Sequence, residues 1–401
     1  MQQPLAGVKI VEVAQFTFTP AAGAVLADWG ADVIKVEHAE TGDAQRGMRS
    51  QPTDGVWMPV MEHPNRGKKS IGLALENPAA HAVLLELCRD ADVFLTNFLP
   101  DARRRLHIEV EDIRAVNPDI VYVRGSAHGQ RGPWAERGGF DGTSFWCRMG
   151  GAWGVTPADG DHLVGMPAGA YGDSIGGMTI AGGIAAALLG RARTGETSVV
   201  DVSLMSVGAW AFGLSLGNAA MTGVNQPAPV LDGTLNPVAN TFRTSDGRWI
   251  NFTMMQPFRF FPDVCRHLGL DHLIGDPRFD TFEHLMANTL AASAEFTAAM
   301  AAKPYAYWLE RLQTMEGQWA PVQEPLDILA DPQMSANGYL VTVTDADGRE
   351  RTLVANPVQF DEQPPVIVRA PRFAEHTDQL LTELGHSEDE IINLKIEGAA
   401  T

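Results

Sequence analysis

VKIVEVAQFTFTPAAGAVLADWGADVIKVE, residues 8–37, is the stretch that sets the fold class. An apolar run, Val8–Val13, leads into a helical segment with Pro20 near its start and Gly30 just past its end, and a second apolar run, Asp32–Val36, follows. Proline suits a first helical turn, where no backbone N–H is needed, and glycine takes the left-handed backbone that ends a helix. The stretch therefore reads as one parallel β-α-β crossover. The pattern recurs outward: a strand at Ser70–Leu73, a helix capped by Asn77 with Pro78 at its first position, and strands at Asp92–Leu95, Ile120–Val123 and Ser198–Val202. Repeated crossovers predict a doubly wound, Rossmann-like α/β domain.

The texture changes beyond the Pro-containing connector Gln226–Pro229. A hairpin turning at Ser245–Asp246–Gly247 and helices near 257–268, 284–302 and 304–316 predict a smaller α+β domain. A second hairpin turns at Asp345–Gly348, and the tail from 375 reads as amphipathic helix. The expected division is a large domain over 1–225, a small domain over 226–328 and a carboxy-terminal segment, 329–401, returning to the large one.

The 401 residues are 45% apolar and 20% charged, the composition of a globular enzyme. A formal charge of −19 argues against nucleic acid, whose sequence-independent binding relies on many Lys and Arg contacts to phosphate. The three cysteines, Cys88, Cys147 and Cys265, are far apart and read as reduced thiols of a cytoplasmic protein. Met178–Leu189 is Gly-interrupted and about a dozen residues long, against the ~20 needed to cross a bilayer, so a buried helix and no membrane role are expected.

Asp173 lies in Gly172–Gly177, ahead of that helix. It reads either as a helix N-cap or as a nucleophilic carboxylate, with N–H groups of Gly176 and Gly177 supplying an oxyanion site. Gly172, Ser174 and Gly176 also satisfy G-x-S-x-G, which raises a serine hydrolase or thioesterase, although no strong strand precedes the motif. Arg66, Lys68, Lys69 and Arg103–Arg105 are either solvated surface charge or phosphate contacts at strand ends. The first turn, Gln15–Pro20, has no dinucleotide glycine motif, and no metal motif occurs, so no metal and no tightly bound cofactor are expected.

Several stretches together resemble the class III CoA-transferases. They are Pro4–Ile10, Ala27–Glu37, Asn65–Ser70, Ala91–Val93 with Asn97–Phe98, Gly129–Pro133, Thr194–Glu196 with Val200–Leu204, Asp331–Gln333 and Glu375–Thr377. The resemblance implies an interlocked homodimer that takes CoA and acyl-CoA as substrates and carries the acyl group on Asp173. It implies CoA contacts from Gln15, Phe16, Thr17, His38, Lys68, Lys69, Asn97, Phe98, Arg105, Arg137 and Phe140. The formyl-CoA:oxalate branch has a glycine-rich loop where this chain has Thr253–Gln256, so a bulkier, more apolar acid is expected. The related 2-methylacyl-CoA racemases use a histidine and a glutamate at positions that match Phe140 and Gln256. Neither of these side chains can exchange a proton near neutral pH, so Gln256 is left with a supporting role at most. A CoA-binding protein without catalysis is the remaining reading.

Overall fold

Alternate residues of each predicted strand reach different cores, as the period of two in a strand requires. A computed structural model describes residues 3–48, 58–227 and 236–401. Six strands form one parallel sheet: β1 (Lys9–Val13), β2 (Asp32–Glu37), β3 (Lys69–Gly72), β4 (Val93–Thr96), β5 (Val121–Ser126) and β6 (Val199–Ser203). Their order is β3-β2-β1-β4-β5-β6, the doubly wound arrangement that reverses direction between β1 and β4.

On one face, Ile10, Val33, Leu95 and Val123 meet Ala22, Val25 and Leu26 of the helix Phe18–Asp28 and Ile180 and Ile184 of the helix Tyr171–Thr194. On the other, Val11, Val13, Phe94 and Tyr122 meet Val83, Leu84 and Leu87 of the helix Pro78–Arg89. Asn77 caps that helix by accepting from the N–H of Ala79, with Pro78 next to it as anticipated. Leu380, Leu381 and Ile391 from the carboxy-terminal helices Thr377–Glu383 and Glu388–Ile396 join the same core.

β3 is an edge strand, and the end of the chain covers it. The N–H of Gly72 donates to Thr377 Oγ1 at 3.1 Å, the N–H of His376 to the carbonyl of Ser70 at 2.9 Å, and the N–H of Ala74 to the carbonyl of Ala399 at 2.9 Å. Capping an edge in this way removes an open template for strand pairing.

The apolar helix begins earlier and ends later than its sequence suggests: it runs for 24 residues, Tyr171–Thr194, rather than the dozen of Met178–Leu189. Glycine lowers helix propensity, but tertiary contact overrides it here. A Cβ on Gly176 would lie 2.2 Å from the Phe18 ring, and one on Gly177 would lie 2.5 Å from Ala21 Cβ, so both glycines let two helices touch closely. At this length the helix is long and apolar enough to cross a bilayer, yet one face is packed on the sheet through Ile180, Ala181 and Ile184.

The chain divides into two compact units, residues 1–156 with 160–227 and 333–401, and residues 157–159 with 228–332. The Gln226–Pro229 connector falls partly outside the described residues. The second unit holds an antiparallel sheet of β7 (Thr241–Arg243), β8 (Trp249–Phe252) and β9 (Trp319–Pro321), with a core of Phe242, Phe252, Phe261, Phe296 and Trp308. In the first unit, β10 (Leu340–Thr344) and β11 (Glu350–Val354) form the second expected hairpin.

Candidate active site

Reversal of strand order between β1 and β4 leaves a crevice at their carboxyl ends, the usual ligand position in an open α/β sheet. The two loops there are tied together. The Gln15 N–H donates to Asn97 Oδ1 at 3.0 Å, and Asn97 Nδ2 donates to the Gln15 carbonyl at 2.7 Å. The next residue, Phe16, has φ of 64°, a left-handed conformation costly for a side chain of its size. Asp43 holds it there, accepting from the Phe16 N–H at 3.1 Å while its other oxygen lies 2.9 Å from Lys35 Nζ. Lys35 also donates to the Ala14 carbonyl at 2.8 Å. Burial works to lower the Lys35 pKa, but Asp43, Glu12 and Glu37 together outweigh it and raise it, so the ammonium stays charged. A buried ion cluster thus sets the backbone of the turn Ala14–Phe16.

The crevice opens into a cavity of about 1300 Å³. Gln15, Phe16, Asn97, Phe98, Arg137, Phe140 and Asp173 all line it. Phe16 and Phe140 meet edge to face at 5.3 Å, and Phe18, Leu99 and Leu204 add apolar wall. A smaller cavity of about 210 Å³ is lined by His38 and Arg105 and shares Gln15, Phe98 and Ala102 with the larger one.

Asp173 is the third residue of its helix, not the N-cap, which is Ala170. Its side chain is 9% exposed and has no hydrogen-bond partner among the described residues. Burial, and secondarily the neighbouring Asp141, push its carboxyl up from near 3.8 to about 7. Asp141 is anchored by the N–H groups of Gly142 at 2.8 Å and Gly172 at 3.2 Å. Burial, with Asp141 as the lesser cause, makes the Asp173 carboxylate more basic, and a basic carboxylate is the better nucleophile. No spacing in the sequence announces Asp141; it reaches the site through a contact thirty-one residues away in the chain.

Several expected site residues make internal contacts instead of lining the cavity. Gly176 and Gly177 lie beyond the first helical turn, since the Ser174 N–H already bonds the Ala170 carbonyl. Their N–H groups belong to the helix ladder, which leaves none free for an oxyanion. Lys68 is buried, and its Nζ donates to Glu12 at 2.7 and 2.8 Å, to the Pro20 carbonyl at 2.8 Å and to Asn65 at 3.2 Å, which uses up its three donors. Lys69 pairs with Asp32 at 3.0 Å at the amino ends of β3 and β2, the edge of the sheet opposite the crevice. Thr17 is also turned inward, donating to Gln45 at 2.9 Å. Arg66 is likewise spent internally, on Asp28 at 2.7 Å. Gln256 belongs to the second unit, where it precedes the helix Pro257–Leu268 and accepts from Arg259 at 3.1 Å.

Ser174 Oγ lies 3.1 Å from His63 Nε2. A nucleophile elbow requires a strand running directly into the serine, and residues 160–170 form no strand. Ser174 is also absent from the cavity wall. Among the described residues no group of three or more metal-ligating side chains occurs.

The sheet order, the crevice at the switch point and a desolvated carboxyl in its wall make this a doubly wound α/β protein with a ligand site at the carboxyl ends of its strands. CoA-transferase family III matches residues 5–377, and the chain belongs to that family. It is 28% identical over 400 residues to the (R)-2-hydroxy-4-methylpentanoate CoA-transferase of Clostridioides difficile, with 98% of both chains covered. It is 31% identical over 397 residues to the cinnamoyl-CoA:phenyllactate CoA-transferase of Clostridium sporogenes, covering 97% of this chain and 95% of that one. A crystal structure of a CAIB/BAIF family protein from Brucella suis superposes with a TM-score of 0.84 at 26% identity, covering 96% of this chain and all of the other.

Proposed function

We propose that the enzyme moves CoA from an acyl-CoA donor to a carboxylic acid acceptor through covalent intermediates on Asp173. The observation that carries this reading is the Asp173 carboxyl, buried, without a hydrogen-bond partner among the described residues and lining the cavity. An Asp173 oxygen attacks the donor thioester, the C–S bond breaks, and a mixed anhydride and CoA thiolate result. The thiolate attacks the aspartyl carbonyl, releasing the donor acid and leaving an aspartyl-CoA thioester. The acceptor carboxylate attacks that carbonyl, giving a second anhydride and thiolate again. Attack of the thiolate on the acceptor carbonyl yields the new acyl-CoA and returns Asp173 as carboxylate. Every intermediate remains activated, so little free energy is lost between steps.

The acid is bulky and largely apolar: Phe16, Phe18, Phe140 and Leu204 supply the wall, and the two relatives are named for (R)-2-hydroxy-4-methylpentanoate and for cinnamoyl-CoA with phenyllactate. Racemisation is disfavoured because Phe140 and Gln256 carry no proton to exchange. The enzyme works as an interlocked homodimer in the cytoplasm. In support of the dimer, Trp210, Leu214 and Met221 are 87–89% exposed on the helices Leu204–Ala211 and Gly213–Thr222, an apolar surface of the kind that marks an interface. A monomer in sedimentation at micromolar concentration removes the dimer.

Trapping tests the mechanism. With donor acyl-CoA and hydroxylamine or borohydride, peptide mass spectrometry should find the modification on Asp173. An Asp173→Asn enzyme with full transfer activity refutes the proposal.

A further inference from the structure

Two cations in the cavity wall have no carboxylate partner. The Arg148 guanidinium lies over the Trp134 ring at 3.7 Å from its centroid, and that of Arg137 lies at 4.7 Å. In a chain with 49 acidic residues and a charge of −19, most arginines of this unit find a carboxylate: Arg46, Arg66, Arg103, Arg104 and Arg124 all do. Neither Arg137 nor Arg148 has such a contact among the described residues. Stacking on an indole fixes the plane of a guanidinium and leaves its N–H edge free. Trp134 itself is braced from the side by His128, whose ring meets it edge to face at 4.9 Å. The His128 Nδ1 is buried and has no hydrogen-bond partner among the described residues.

We infer that Arg148 and Arg137, held on Trp134, form the subsite for a phosphate group of CoA. The inference rests on the proposed function, and it adds Arg148 and Trp134, which no sequence match marks, to the expected contact from Arg137. Charge count favours phosphate over the carboxylate of the acid. Two unpaired guanidiniums match a phosphate monoester, which carries about −1.5 to −2 near neutral pH, whereas a single carboxylate leaves one positive charge uncompensated. Burial, and then Arg148 and Arg137, lower the His128 pKa, so its ring is a neutral brace that does not repel or neutralise the pair.

Calorimetric titration of the full-length enzyme with CoA, 3′-dephospho-CoA and a free carboxylic acid tests this, using the Arg148→Ala, Arg148→Lys and Trp134→Leu variants with melting temperatures as folding controls. Arg148→Ala should weaken CoA binding by roughly ten- to a hundredfold, the usual effect of losing a charge-assisted contact. Arg148→Lys should recover only part of that loss, because lysine cannot offer a planar fork. If the contact is to the 3′-phosphate, wild type and Arg148→Ala bind dephospho-CoA equally; if it is to the diphosphate, the loss persists with dephospho-CoA. Either result supports a phosphate subsite. A loss of affinity for the acid alone, or unchanged CoA affinity in Arg148→Ala, overturns it. A wild-type enzyme that binds no CoA refutes the proposed function itself, whereas a wild type that binds CoA no better than Arg148→Ala refutes only the subsite.

Discussion

Replacing Asp173 by asparagine should abolish transfer and make the protein more stable, by an amount that depends on pH. In the folded chain the carboxyl titrates near 7, against 3.8 ordinarily. At about 1.4 kcal/mol for each tenfold change in acidity, ionising Asp173 in its site costs at most about 4 kcal/mol. The sign follows from proton binding. Between pH 3.8 and 7 the unfolded chain has released this proton and the folded chain has kept it, so wild-type stability falls as pH rises through that window. Asparagine has no such dependence. A carboxylate at a helix start gains only about 0.3–1 kcal/mol from the dipole, too little to reverse the effect, and Ala170 rather than Asp173 occupies the cap, so no capping bond is lost. The stability advantage of Asp173→Asn should therefore grow by about 2–3 kcal/mol from pH 5 to pH 8. For a chain of 401 residues that corresponds to a widening of the melting-temperature difference by roughly 2–4 °C. Paired thermal melts across this range measure it. An advantage that stays constant, or an asparagine variant less stable at pH 8, refutes the assignment of a desolvated carboxyl.

Other outcomes follow from the same structure. Lys35→Met leaves Asp43 and Glu12 buried without one of their cations and should cost about 3–5 kcal/mol in denaturant unfolding; a change below ~1 kcal/mol would mean the cluster is solvated. Lys69→Ala should leave the CoA dissociation constant unchanged in titration, since Lys69 sits at the amino edge of the sheet, and a tenfold weakening would contradict that position. Incubation with a 2-methylacyl-CoA in deuterated water should show no fast exchange of the α-proton; rapid exchange would expose a base other than Phe140 or Gln256.

The sheet was legible because burial on both faces writes long apolar runs into the chain; each of its expected strands starts within one residue of the observed start, while β5 runs three residues further than expected. Asp173 stands out in the sequence by its glycine-flanked setting and by the family resemblance, and it lines the larger cavity. What escaped the sequence has a common physical cause. Lys68 looks like surface charge until Glu12, fifty-six residues earlier, closes on it. Gly176 and Gly177 read in the sequence as donors of free N–H groups at a helix start, and only the approach of Phe18 and Ala21 reveals that they are packing glycines inside a longer helix. Arg148 and Trp134 are separated by fourteen positions with no periodic relation, so their stacking is visible only in three dimensions.

Closure of the β3 edge by Thr377, Ala399 and the final helices has a consequence for biosynthesis. The strand is made early, but Thr377, which satisfies its outer edge, is made 305 residues after Gly72. Residues 228–332, by contrast, are contiguous apart from three upstream residues, and can finish folding while the unit that began first still waits for its end. This connectivity predicts an inversion of the usual amino-terminal-first order of domain folding. Ribosome-bound chains halted near residue 340 should yield a protease-resistant fragment from the later-made unit while β3 remains open to cleavage. During that interval an unpaired edge strand is available to a neighbouring nascent chain, so the last two dozen residues act as a built-in guard against mispairing as well as part of the core.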